Sequence, residues 1–292
     1  MKSVYSLNEQ EFLKDTEGYF KTKSMIYLKM LGLPTLKGLI ITKWDKFSEE
    51  SVLRFIEQNG FSSLVLRTDS VYEIGPAPRG GDLIEISLLK ETVIKYLNMG
   101  RIVILLEPRS RFENLYSFNV LFDRELFPRH ILVETVGPGF DVSDISRGDI
   151  SPHERIWIPR SEFLQGPLLP THIFRQVTNQ LKYLESYNDR LVKIGRKVTG
   201  KNMTEELLKE EAIKYLRRRG WTLLLQKQTY TPVPFAYIQM IYQNIKNLPS
   251  RLYQLNAPGE PFVVSGTIFN QTNELIFWDI TWARLKYQLK RE

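Results

Sequence analysis

Between residues 9 and 31 the apolar positions Phe12, Tyr19, Met25, Leu28, Met30 and Leu31 recur at roughly helical spacing. The pattern predicts helix, with Gly18 as a point where the segment splits in two. Gly32-Leu33-Pro34 stops it, because Pro34 drives the preceding residue out of the α region. The apolar run Leu39-Ile40-Ile41-Thr42 reads as a short buried strand. Ser48, followed by Glu49 and Glu50, predicts a helix start, with Val52, Phe55 and Ile56 as its apolar face and Gly60 as its end. Ser63-Leu64-Val65-Leu66-Arg67 is the next expected strand. Residues 71–82, with two prolines and three glycines, predict a loop.

A helix expected at about 88–98 leads into the buried strand Arg101–Glu107. A further strand, Ile131–Glu134, precedes Val136-Gly137-Pro138-Gly139-Phe140, which has to turn. Residues 173–192, 204–219 and 236–248 read as helices. The second of these opens on Glu205-Glu206 and closes on Arg217-Arg218-Arg219, in accord with the helix dipole at both ends. Phe262–Phe269 and Glu274–Thr281 form a hairpin-like pair across the polar turn 270–273. Helices alternating with strands predict a mixed α/β architecture. The sequence shows no internal repeat and no low-complexity tract.

Composition narrows the function classes. The 292 residues suffice for one large domain or two to three lobes, and 42% apolar with 25% charged residues describes a folded chain. The absence of cysteine excludes disulfides, thiolate metal sites and cysteine nucleophiles, and it fits a reducing cytoplasm, the expected location. The opening MKSVYSLNEQEFLKD has acids within its first turns and no long apolar run, so no signal peptide is expected there. Apolar stretches such as Ile102–Leu106 are far shorter than a membrane span, so no membrane association is expected.

The net charge of +7 is unevenly spread. Residues 1–150 carry 19 basic against 21 acidic side chains, net −2, and the rest carry 21 against 12, net +9. Such a half suits polyphosphates, nucleic acid or an anionic membrane, although its basic residues are interleaved with acids as on a solvated surface. His130, His153 and His172 lack metal-ligand spacing, and His153 reads as structural. Asp141, Asp144 and Asp149 do not match a calcium loop. Dinucleotide, Walker-type and nucleophile-elbow motifs are absent.

Four segments carry candidate chemistry: Lys23–Thr42; Leu64-Val65-Leu66-Arg67-Thr68-Asp69-Ser70; Leu132–Gly137; and the pair Val264–Ile268 with Leu275–Thr281. A guanidinium at a strand end, as at Arg67, suits phosphate oxygens because it donates two parallel hydrogen bonds and keeps its charge. A carboxylate such as Asp279 suits magnesium, a hard cation that takes oxygen ligands. In order and composition these segments resemble the N-terminal ATP-grasp domain of phosphoenolpyruvate synthase and pyruvate phosphate dikinase. The resemblance is traceable chiefly over residues 20–150 and 262–282.

That resemblance implies an α/β (α+β) fold with an ATP-grasp-like two-lobe architecture and mixed sheets. The N-terminal lobe would be residues 1–130 and the C-terminal lobe 131–292, with a helical insertion at about 170–250. It implies ATP and Mg2+ as cofactors. Lys23 and Arg67 would contact phosphates, with Arg67 the catalytic residue; Glu134 and the strand at Val136 would face adenine; Asp279 would hold the metal. Lys21, Thr22 and Ser24 stand where that family has glycines. The strand beside Asp279 offers Ser265 and Thr267, with Asn270 in the turn, in place of a second acid. The family's histidine-bearing swivelling domain is missing.

Three functions are consistent with these residues. One is an ATP-dependent phosphotransferase or ligase working through a phosphorylated intermediate on an unidentified acceptor. Another is an inactive ATP-grasp-like nucleotide sensor, or a scaffold for a protein partner. The third, ranked last for want of a nucleic-acid motif, is a nucleic-acid-binding protein using Lys193, Arg196, Lys197, Lys201 and Arg217–Arg219.

Overall fold

The computed structural model describes residues 2–15, 18–71, 81–109, 114–142, 145, 150–200, 202–219, 225 and 229–282. By contact density the chain divides into two units. The first comprises residues 1–109, 251–258 and 276–292, and the second comprises 110–250 and 259–275.

The first unit is built on a five-stranded sheet with the strands β1 (Val4–Ser6), β2 (Gly38–Ile41), β3 (Ser63–Asp69), β4 (Gly81–Glu85) and β5 (Ile102–Leu106), in the order β1-β2-β5-β3-β4. All four pairings are antiparallel. Strand β5, buried at every residue, lies between β2 and β3, which explains its unbroken apolar run. Its Val103 and Leu105 pack with Ile41, Leu64 and Leu66 beneath two helices, α3 (Lys46–Asn59) and α4 (Ile86–Asn98). Those helices contribute Val52, Ile56, Leu89 and Val93.

Helix α3 begins two residues before the expected Ser48, because Asp45 is the residue that caps it. The Asp45 carboxylate accepts from the Ser48 backbone N–H at 2.9 Å, and the Ser48 hydroxyl accepts from the Asp45 N–H at 2.7 Å. The N-terminal helical stretch splits as expected at Gly18, into α1 (Glu11–Asp15) and α2 (Phe20–Met30). Of the loop expected at 71–82, residues 72–80 lie outside the described residues, and Gly81 already belongs to β4.

The second unit holds the strands β6 (Asn114–Phe122), β7 (His130–Val136), β8 (Glu154–Pro159), β9 (Phe174–Val177) and β10 (Phe262–Phe269), in the order β10-β6-β7-β8-β9, and β11 (Leu275–Trp282) belongs to the first unit from residue 276 on. The pairings of β6 with β7 and β10, of β7 with β8, and of β8 with β9 are antiparallel. Fold class is therefore α/β (α+β), as the sequence predicts. Two strands, β6 and β8, have no counterpart among the expected elements. The expected helix at 173–192 is in part strand: Phe174–Val177 pairs with β8, and the helix starts only at Gln180, where Asn179 accepts from the Lys182 N–H at 2.9 Å.

That helix, α5 (Gln180–Thr199), packs against α6 (Glu205–Arg218). Tyr183, Tyr187, Leu191 and Ile194 on α5 are buried, as are Leu208, Ala212 and Leu216 on α6. Two further helices, α7 (Phe235–Ile245) and α8 (Leu248–Gln254), precede β10. The α5–α6 approach is set by Gly195, where a Cβ would sit 2.0 Å from the Leu208 carbonyl oxygen. Overpacking at a backbone contact costs about 1–3 kcal/mol. Gly195→Ala should lower the unfolding free energy by that amount, read as a lower urea midpoint at unchanged m value, and an unchanged midpoint would show that the two helices separate freely.

Candidate functional site

In the first unit, three stretches far apart in sequence meet around the start of α2. The approach depends on Gly18: its φ is +73°, and a Cβ there would lie 2.5 Å from the Val71 carbonyl oxygen. Only a glycine lets the chain enter α2 so close to the end of β3. Tyr19, also left-handed at φ 53°, completes the entry.

Asp69, the last residue of β3, is 4% exposed. Its Oδ2 accepts from both the backbone N–H and the hydroxyl of Thr22, each at 2.9 Å, and its Oδ1 accepts from the Ser70 N–H at 2.9 Å. Next to it, Arg101 donates to the Thr68 hydroxyl at 3.0 Å.

The final strand brings in Asp279. The Phe277 N–H donates to the Pro34 carbonyl at 2.8 Å, just past the stop of α2, and the Trp282 ring meets Tyr27 edge-on at 5.9 Å. Between these anchors the Ser24 hydroxyl donates to Asp279 Oδ1. Arg67 Nη2 lies 3.9 Å from Asp279 Oδ2. The other Arg67 contacts are a donation to the Trp278 carbonyl at 3.5 Å and an approach to Met25 Sδ at 3.8 Å. All are long for a guanidinium, whose charge-assisted bonds usually close to below 3 Å.

Burial pushes the pKa of Asp279 up. The Arg67 charge, the Ser24 hydroxyl and the Lys21 charge pull it back, and the Asp69 charge adds to the rise. A fifth of the side chain remains exposed.

The structure thus brings Arg67 and Asp279 together with the turn Lys21–Ser24. Lys23 lies on α2, half-buried, in the same turn. Lys21, unremarked as a ligand in the sequence, is the lysine whose charge Asp279 feels. Ser24 and Asp69 were also passed over: a buried serine at helix position five and an acid two residues beyond an arginine carry no signal until the chain is folded.

Glu134 and Val136 lie in the second unit, on β7. Glu134 stands opposite Asn119 of β6 and accepts from Arg155 of β8 at 2.9 Å. From β10, on the other side of β6, Ser265 donates to Asn119 at 2.7 Å, so the face combines an ion pair with an amide and a hydroxyl. The Val136 side chain is fully buried. Among the described residues, no group of three or more histidine or acidic side chains could enclose a metal ion. Asp144 and Asp149 lie outside the described residues.

His153 and Glu154 carry the other buried charge chemistry of this unit. Glu154, 1% exposed, accepts from Arg175 Nε at 2.5 Å, and from Tyr230 Oη and the Val233 N–H, each at 2.9 Å. His153, 2% exposed, accepts from the Gly137 N–H at 3.0 Å through Nδ1, among the rings of Phe140, Tyr183 and Tyr230. Its role is to fasten the turn after β7.

No protein-family model matches the sequence. A search of curated proteins finds no match either. Among solved structures the chain is similar to several enzymes, each at low identity and with a TM-score below 0.4. With the D-alanine-D-alanine ligase of Coxiella burnetii it is 10% identical at a TM-score of 0.38, covering 90% of this chain and 47% of that one. With the ADP complex of N5-carboxyaminoimidazole ribonucleotide synthetase the figures are 12%, 0.35, 94% and 47%. With a macrocyclase of Microcystis aeruginosa bound to its precursor peptide they are 8%, 0.31, 86% and 49%. The chain spans about half the length of these enzymes. Likeness at this level assigns neither activity nor substrate.

Burial lowers the pKa of His153 to about 4. The unfolded chain, with an ordinary histidine, takes up this proton first as pH falls, so the contribution is complete above about pH 6.5 and is lost toward pH 4. Urea unfolding should show roughly 3 kcal/mol lost over that window from this group. His153→Asn, which keeps an acceptor for Gly137, should lose correspondingly less between pH 7 and 4.5; an equal loss would remove His153 as the cause.

Proposed function

We propose that the chain is an ATP-binding protein of ATP-grasp type that works as a ligase or phosphotransferase through a phosphorylated intermediate. The observation that carries this reading is the convergence of Lys21–Ser24, Arg67 and Asp279 within one unit. Arg67 and the lysines of the α2 turn would hold phosphates. The guanidinium suits the task because its present contacts are long and leave its donors open to tighter, charge-assisted bonds.

Magnesium fits this site in a limited sense. It commonly takes one or two carboxylates and completes its shell with phosphates and water. Asp279 would be the protein ligand, and the bound ion would neutralise phosphate charge. Glu134, with the backbone at Val136, would read the adenine edge; the Arg155 pairing leaves Glu134 Oε1 engaged and its second oxygen the one to offer. Phosphoryl transfer depends mainly on positioning and charge neutralisation, so a small set of cations serves it.

A specific observation also favours the sensor reading. Asp279 is already engaged by Ser24 and Arg67, and among the described residues it belongs to no group of three or more acids or histidines that could hold a metal. ATP would then bind without turnover.

At about 100 times its Kd, ATP should stabilise the wild type by about 2.7 kcal/mol. In thermal unfolding, Arg67→Ala should lose most of that shift, and Asp279→Asn should lose its magnesium dependence. A wild type that ATP does not stabilise would overturn the nucleotide reading. A shift unaffected by magnesium, with no ATP consumed, would select the sensor. Glu134→Gln should narrow the preference for ATP over GTP, and an unchanged ratio would remove Glu134 from base recognition.

A further inference from the structure

We propose that Asp69 is a positioning residue that locks the Lys21–Ser24 turn onto the end of β3 and so sets the spacing between its lysines and Arg67. The proposal rests on the nucleotide reading above. Asp69 lies two residues beyond Arg67 on the same strand, so the two side chains share one rigid support. Its carboxylate binds Thr22 twice, through N–H and hydroxyl, and Thr22 lies between Lys21 and Lys23. Two residues further on, Ser24 holds Asp279.

Three donors meet Asp69, two from Thr22 in the first turn of α2 and one from Ser70 at its own strand end. The first N–H groups of a helix have no partner within the helix, so an acid from outside can hold one of them in place. The Gly18 and Tyr19 entry leaves this turn without a side-chain cap of its own. Asp69 supplies the missing acceptor from 47 residues away in sequence. A turn held by a neighbouring strand is placed to better precision than one held only by its own loop, and cations that meet a polyphosphate need that precision.

A purely structural acid would lower stability and leave ligand affinity alone. A positioning acid would lower affinity in protein that is fully folded. Asp69→Asn keeps the shape but offers an amide N–H to one of the present donors. Thr22→Val removes the hydroxyl arm only, and Thr22→Ser restores it.

The experiment measures ATP affinity by calorimetry, well below each variant's Tm, over a range of salt. Asp69→Asn should weaken ATP at least tenfold and Thr22→Val about threefold, and Thr22→Ser should stay near wild type. The salt slope should remain that of wild type in all three, because no phosphate-binding cation is removed, whereas Arg67→Ala should flatten it. Unchanged affinity in Asp69→Asn, or in Thr22→Val should Asp69→Asn fail to fold, would overturn the proposal and leave the nucleotide reading standing. A wild type that does not bind ATP would overturn both.

Discussion

A carboxylate removed from water must be surrounded by donors or cations, and the first unit places two of them side by side. Asp69 is answered by backbone and hydroxyl donors, Asp279 by one hydroxyl and a distant guanidinium. The remaining features follow from these two demands. Gly18 allows the close approach that brings Thr22 to Asp69, and the Pro34 carbonyl receives the Phe277 N–H that sets Asp279 beside Ser24. Helix α2 is thereby tied to strands from both ends of the sequence.

The second unit meets the same demand differently. Glu154 lies at 1% exposure, and its two oxygens are taken by a guanidinium, a phenol and a backbone N–H. These partners come from β9 and from the segment ahead of α7, so one acid joins the sheet edge to the helical layer. Breaking such a network by removing a single partner usually costs several kcal/mol, because the charge stays buried. The two acids differ in completeness: Glu154 is closed on all sides, whereas a fifth of the Asp279 side chain stays exposed and its cation stands off. The closed one is structural, and the open one is where an exchange of partners can occur.

The sequence disclosed those parts of the fold whose cause is local. Strand β5 is apolar throughout because it is central, and α3 follows a capping signal, so both are legible from their own residues. Strand β9 is not legible in the sequence because Phe-Arg-Gln-Val abuts a strongly amphipathic helix, and only the Asn179 cap marks the break. Strand β8 escaped notice because its inward position holds Glu154, which reads as a surface residue until Arg175 and Tyr230 are seen around it. Arg67 stands out as a guanidinium at an expected strand end, and Asp279 as an acid that follows a buried run. Asp69, Ser24 and Lys21 could not, since their meaning lies in contacts spanning 47 and 255 residues.

The looseness of the Arg67–Asp279 pair bears on how the proposed site would work. A partly exposed ion pair at such a distance contributes little, in the range of about 0–1 kcal/mol. A phosphate offers the same guanidinium two short charge-assisted bonds, so exchange of the carboxylate for a phosphate is favoured. Asp279 would then keep Ser24 and the Lys21 charge against a burial cost that already raises its pKa. A cation arriving with the phosphate would restore the balance. The two binding events of the proposed reaction would in this way be coupled through one carboxylate.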